Sequence, residues 1–253
     1  MTEKELLKKI YSCIDNTTLE GCDTTERITR LCQDSLRMQD SGKEIPSVAA
    51  VCVYPVFVRQ AKHLLQGSPI RVASVAGAFP AGQSPIEVKL HEVRYAINEG
   101  ADEIDMVISR GALIEGKEQQ VYDEIAAVRQ VSTGHTLKVI LETGELQTRT
   151  LIRKASQIAI TAGADFIKTS TGKTTVSATP DASLVMLEVI REEYEKTHRM
   201  VGFKAAGGIS TPEAAMQYAS MAHSILGDNF FNNQYFRIGA SRLVNNIFSL
   251  LTL

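Results

Sequence analysis

From residue 47 onwards, short apolar runs alternate with segments whose apolar residues recur at helical spacing. Ser47 to Tyr54 (SVAAVCVY) is β-rich, ends at Pro55 and predicts a buried strand. Arg71 to Ala76 predicts a second strand, closed by Gly77-Ala78-Phe79-Pro80. Ser84-Pro85-Ile86-Glu87 then reads as an N-cap, a first-turn proline and an acid, with a helix running to the Gly100 stop. Glu103 to Ile108 and Leu137 to Glu142 are the next strands, each followed by a helix, marked by Val121, Ile125 and Val128 and by Ile152, Ala155 and Ile158.

Gly163 to Lys173 (GADFIKTSTGK) supplies a fifth strand, and Thr179-Pro180-Asp181 opens a helix carrying Leu184, Leu187 and Ile190. Met200 to Ala205 is the sixth strand, ended by Gly207-Gly208, and Thr211-Pro212-Glu213 opens another helix. Ser224 to Leu226 is a weakly marked seventh strand, Phe236 to Gly239 an eighth, and Val244, Ile247 and Leu251 mark the last helix. Before all of this, Thr2 and Glu5 form a capping box on a helix striped by Leu6, Leu7, Ile10 and Ile14. Asp23 and Glu26 start a second helix with Ile28, Leu31 and Leu36 inside.

Eight strands alternating with helices imply a parallel sheet, and the number eight favours an α/β fold of the closed (β/α)8 TIM-barrel type over an open doubly wound sheet. The whole of 1–253 reads as one such domain with an extra N-terminal helical segment, since no linker or low-complexity run interrupts it.

Composition narrows the partners. The chain is 44% apolar and 22% charged with a formal net charge of −2, so nothing draws it to nucleic acid or an anionic membrane. Charges among the N-terminal leucines exclude a secretory signal, and no apolar run is long enough to span a membrane. Cys13, Cys22, Cys32 and Cys52 form no C-x-x-C pair and suit a reducing compartment, so a cytoplasmic protein is expected. The five scattered histidines lack the spacing of a metal site, and neither a metal nor another cofactor is expected.

In a barrel, catalytic groups stand at the C-terminal ends of strands, which singles out Asp105, Lys138, Lys168 and Lys204 within apolar runs. Each lysine taken singly also fits a core residue reaching the rim, or half of a structural ion pair. Three of them on successive predicted strands, the fourth, fifth and sixth, converge on one mouth. Like charges held close, together with burial, disfavour protonation, so one amine would be free to attack a carbonyl as a Schiff-base nucleophile. Asp105, helped by water or a neighbouring lysine, would move the protons.

Glycine-rich backbone follows the strands at Gly172-Lys173, Gly207-Gly208 and Gly239-Ala240-Ser241, where main-chain N–H groups and a helix beginning near Ser241 would hold a phosphate monoester. A strand-ending turn is the plainer reading of any one of these glycines. Gly172-Lys173-Thr174 is not a P-loop, because Ile167 occupies the position of its first glycine. A carboxylate-base isomerase or lyase and a non-catalytic phosphate-binding barrel stay open beside a Schiff-base lysine enzyme.

The segments CIDNTTL (13–19), ADEIDMV (101–107), LKVILETGEL (137–146), GADFIKTSTGK, GFKAAGGIS (202–210) and RIGAS (237–241) resemble the deoxyribose-phosphate aldolase family over nearly the whole chain. The resemblance implies a class I aldehyde-lyase that reversibly cleaves 2-deoxy-D-ribose 5-phosphate to D-glyceraldehyde 3-phosphate and acetaldehyde, in deoxyribonucleoside catabolism. It implies Lys168 as the Schiff-base lysine, Lys204 as the neighbour that depresses its pKa, and Asp105 in the proton relay. Lys138 and Asp15 match the supporting polar shell, with Asp15 holding Lys204 or a substrate hydroxyl. Gly172, Lys173, Gly207, Gly208, Gly239 and Ser241 match the phosphate loops.

Three departures from the family pattern alter the expectations. Arg242 stands where many members have a second serine, Ala205 where a proline often follows the lysine, and the sequence stops at Leu253 without the tyrosine-ended tail that assists proton transfer in some members. Barrels of this kind commonly pair, so a homo-oligomer, a dimer first, is the expected state.

Overall fold

The computed structural model describes residues 2–37 and 45–252. Eight parallel strands close into a barrel in chain order: β1 (Ile14–Thr17), β2 (Ala50–Val53), β3 (Arg71–Ala76), β4 (Glu103–Val107), β5 (Thr136–Ile140), β6 (Phe166–Lys168), β7 (Gly202–Ala206) and β8 (Phe236–Ala240). β1 seals the cylinder, pairing Asp15 with Ala50 of β2 on one side and with Gly239 of β8 on the other.

Helix α1 (Glu3–Tyr11) precedes the barrel, and α2 (Thr25–Leu36), α3 (Val58–Leu64), α4 (Ile86–Asn98), α5 (Arg110–Ile114), α6 (Glu118–Val131), α7 (Thr143–Leu146), α8 (Arg149–Thr161), α9 (Pro180–Thr197), α10 (Pro212–Leu226) and α11 (Leu243–Thr252) fill the connections. The expected capping box is present on α1, where the Thr2 hydroxyl accepts from Glu5 N and the Glu5 carboxylate accepts from Thr2 N. Thr179 and Thr211 cap α9 and α10 ahead of their first-turn prolines. The α4 start differs: Pro85 takes the cap position itself, the helix begins at Ile86, and no side chain caps it.

Two strand assignments are corrected. The seventh strand expected at Ser224–Leu226 is the last turn of α10, because Ala215, Tyr218, Ala219 and Ala222 carry a buried helical stripe up to the stop at Gly227. The missing strand is β1, which begins at Ile14, a residue whose spacing also fits the apolar stripe of the first helix. Ser12 ends that helix, and the strand after it is four residues long with Asp15 and Asn16 at its centre, so it shows no apolar run. The lysine-bearing strands are therefore the fifth, sixth and seventh.

The apolar core falls into two parts. The larger lies between the outer faces of the strands and the helices. The smaller lies inside the barrel, where Ala50, Cys52, Ala73, Val75, Val107 and Ile140 fill the β2–β5 side. At the floor, Phe166 lies flat against β7, and a Cβ on Gly202 would come within 2.3 Å of its ring. A cluster of buried charged residues shares the interior with them. Among the described residues no helix is long and apolar enough to cross a membrane.

Candidate active site

Strand register brings the charged residues together. Asp105 pairs with Lys138 across β4 and β5, Lys168 with Lys204 across β6 and β7, and Lys204 with Arg237 across β7 and β8. Alternate residues of a strand face the same way, so Glu103 points inward beside Asp105. The result is a buried cluster of three carboxylates, Asp15, Glu103 and Asp105, and four cations, Lys138, Lys168, Lys204 and Arg237.

Six of these groups form a closed ring of alternating charge. Arg237 donates to Asp15 Oδ1 at 2.6 Å and to Glu103 Oε1 at 2.9 Å. Lys138 lies 2.5 Å from Glu103 Oε2 and donates to Asp105 Oδ1 at 2.7 Å. Lys204 closes the circuit, donating to Asp105 Oδ2 at 2.7 Å and to Asp15 Oδ2 at 2.5 Å. Three negative and three positive groups leave the ring neutral. Lys168 is the seventh member, and it donates to Asp105 Oδ2, already shared with Lys204, at 2.8 Å.

Protonation follows from that count. Burial pushes Lys168 below its ordinary value; Asp105 opposes the shift and Lys204 adds to it. The depression thus has burial as its larger cause, with the lysine neighbour second. Burial acts on Lys138 and Lys204 as well, but two or three carboxylates outweigh it and both are held above the usual lysine range. Burial alone would raise Asp105, yet Lys138, Lys168 and Lys204 together hold it well below the carboxylate range. Asp105 therefore rests as a carboxylate, accepting hydrogen bonds from Lys138, Lys168 and Lys204.

Lys168 opens into a cavity of about 340 Å³ at the C-terminal mouth, while Lys204, Asp105, Lys138 and Asp15 lie beneath it. Asp15 holds Lys204 and is fully buried. The cavity wall contains every residue expected at the phosphate: Gly172, Lys173, Gly207, Gly208, Gly239 and Ser241, joined by Arg242. Gly207, at φ +90°, is irreplaceable on two counts, since a Cβ there would also meet the Ser177 side chain at 2.5 Å. Gly239 lets Lys204 pass, because a Cβ would stand 3.1 Å from the lysine Cε. At the rim Lys173 is already paired, donating to Glu20 at 2.8 Å.

Three site residues escaped the sequence reading. Glu103 and Arg237 belong to the ring, and the signal for Glu103 was its position two residues before Asp105 on the same strand. Arg237 carried a similar sign, a lone cation in the apolar run FRIG. Glu142, read as the end of a strand, lies beyond β5 in the left-handed region at φ 58°. Fully buried, it accepts from Thr171 N at 3.3 Å, from the Thr171 hydroxyl, and from the Thr174 hydroxyl at 3.2 Å. It thereby ties down the loop that bears Gly172 and Lys173.

Comparison with known proteins points one way. The model of the DeoC/LacD family aldolases matches residues 12–247. Human deoxyribose-phosphate aldolase is 45% identical over 254 residues, spanning 95% of this chain and 79% of that protein. The crystal structure of a Coccidioides immitis protein assigned as a deoxyribose-phosphate aldolase superposes with a TM-score of 0.81 at 30% identity, covering 96% of this chain and 86% of the other. The tetrameric deoxyribose phosphate aldolase of Aeropyrum pernix gives a TM-score of 0.77 at 25% identity, covering 98% of this chain and 92% of its own.

Proposed function

This chain belongs to the DeoC/LacD family of aldolases, and from that premise we propose that Lys168 is the Schiff-base nucleophile of a deoxyribose-phosphate aldolase reaction. The reaction is the reversible cleavage of 2-deoxy-D-ribose 5-phosphate to D-glyceraldehyde 3-phosphate and acetaldehyde. One observation carries the assignment of the nucleophile: Lys168 is the amine left over from a neutral ring, and the lysine of that cluster that lines the cavity.

The steps follow from the protonation states. The free amine of Lys168 attacks the open-chain aldehyde carbon C1, giving a carbinolamine. Lys204, held protonated, is placed to supply through Asp105 the proton that lets hydroxide leave as water, which yields the iminium. A base then removes the C3 hydroxyl proton, the C2–C3 bond breaks, and its electron pair moves into the iminium to form an enamine. Glyceraldehyde 3-phosphate departs, protonation at C2 regenerates an iminium, and water releases acetaldehyde and the amine. Asp105, sharing one oxygen between Lys168 and Lys204, is the group through which these protons pass.

The phosphate is assigned to the loops after β6, β7 and β8, where Gly172, Gly207, Gly208, Gly239 and Ser241 line the cavity and Ser241 stands just ahead of the start of α11. Lys173 and Arg242 add charge at the rim. A carboxylate-base isomerase fits less well, since the three carboxylates of the cluster are buried beneath the cavity and committed to cations.

A cytoplasmic setting suits the free thiols of Cys13, Cys22, Cys32 and Cys52. Self-association, a dimer first, is the expected state, and the tetramer of the Aeropyrum relative lends it support.

Borohydride added with deoxyribose 5-phosphate should fix the two-carbon donor on the Lys168 peptide, read by mass spectrometry. Lys168→Ala should cut release of glyceraldehyde 3-phosphate by roughly 10³-fold or more, as for loss of a covalent nucleophile. Turnover surviving that change at anything near the parent rate rules the assignment out.

A further inference from the structure

We propose that Glu103 and Arg237, at the barrel floor and away from the substrate cavity, are positioning residues that make Lys168 the surplus amine of the site. The inference rests on the assignment of Lys168 as nucleophile. Both residues are buried, and both line a separate cavity of about 430 Å³ at the opposite, N-terminal mouth. Neither lines the substrate cavity. Their action on the chemistry therefore passes through the ring.

The geometry shows how. Arg237 grips Asp15 at 2.6 Å and so turns the other oxygen of Asp15 to Lys204. Glu103 meets Lys138 at 2.5 Å and takes two donations from Arg237. Arg237 and Lys204 are thus each claimed by two carboxylates and Lys138 by three, with Asp15 at 3.6 Å as its third, and no carboxylate of the cluster is left over for Lys168 alone. The groups facing Lys168 are Asp105 from β4, Lys138 from β5, Lys204 from β7 and the Cys52 thiol from β2, with Lys173, Glu20 and Arg242 on the cavity side. Burial pushes that thiol up to about 11, so it is uncharged near neutrality. Arg71 approaches Glu103 to 3.7 Å from the half-exposed floor.

Charge counting fixes the direction of each change. Removing the Arg237 charge leaves three carboxylates against two ring cations, and Lys168 then keeps its proton to higher pH. Removing the Glu103 charge leaves two carboxylates against three cations, and Lys168 sheds its proton at lower pH. Removing both restores neutrality, two against two. A residue that only props up the barrel would not be rescued by a second lesion beside it.

The test is the pH dependence of reductive trapping of acetaldehyde on Lys168, with cyanoborohydride and mass spectrometry, in the parent protein and in Arg237→Gln, Glu103→Gln and the double variant. Circular dichroism checks that each is folded. The trapping midpoint should rise by about one unit in Arg237→Gln, fall by a similar amount in Glu103→Gln, and return close to the parent value in the double variant. Arg237→Lys, which keeps the charge, should leave the midpoint in place whatever it does to the rate. Equal midpoints in all folded variants, or shifts of the same sign in both single variants, overturn the proposal. Should Arg237→Gln not fold, a Glu103→Gln midpoint that stays put or rises overturns it equally. A parent protein that traps nothing at Lys168 at any pH refutes the nucleophile assignment instead.

Discussion

Glu142 shows what one buried carboxyl does when, among the described residues, no cation pairs with it. Its acceptors serve a backbone N–H and two hydroxyls of the loop after β6, and that loop forms one wall of the cavity. Glu142→Gln keeps the size and the left-handed backbone but turns part of the acceptor into a donor facing a donor. Leaving such a buried group unpaired costs about 1–3 kcal/mol, so KM for the sugar phosphate should rise about tenfold. Because Lys168 stands apart from that contact, kcat and acetaldehyde trapping should change little; steady-state kinetics against trapping yield separates the two. Asp105, Lys138, Lys168 and Lys204 could be read from sequence because charge inside an apolar run is conspicuous. Glu142 could not, since its role depends on a turn that reverses the chain beyond β5.

At the level of elements, legibility tracked the strength of local signals. The threonine, proline and acid triplets opening α9 and α10 stood out because cap chemistry needs those residues in that order, and both helices begin there. Thr211→Ala removes the hydroxyl that accepts from Ala214 N and should lower stability by about 1 kcal/mol, seen in urea unfolding, with trapping at Lys168 intact. β1 illustrates the opposite case. Its inward residues are Thr17 at the cavity and Asp15, whose partners Lys204 and Arg237 lie 189 and 222 residues away, so nothing near it in sequence announces a strand. The false strand at Ser224–Leu226 arose from an apolar helical end, which so short a run alone cannot distinguish from a strand.

For the molecule as a whole, the alternation of strands and helices pointed to the architecture, with the count of eight reached because one false strand offset the missed β1, while the division of the barrel interior emerged only from closure. Apolar side chains from β2 to β5 pack together on one part of the interior, and an ion ring drawn from β1, β4, β5, β7 and β8 occupies another, a contrast invisible until β8 meets β1. The same closure sets the two ends of the substrate in different surroundings. Ring members are at most a few per cent exposed, whereas the side chains of Lys173 and Glu20 are 24% and 54% exposed. Dissolved ions screen charges they can approach, with a Debye length of about 10 Å at 0.1 M, and leave enclosed ones nearly untouched. Raising the ionic strength should therefore loosen the hold on phosphate and leave the amine chemistry alone. In kinetics from 0.05 to about 0.5 M potassium chloride, KM should climb several-fold while the trapping midpoint of Lys168 stays fixed. Salt becomes a way to address the recognition end of this enzyme without disturbing its reactive one.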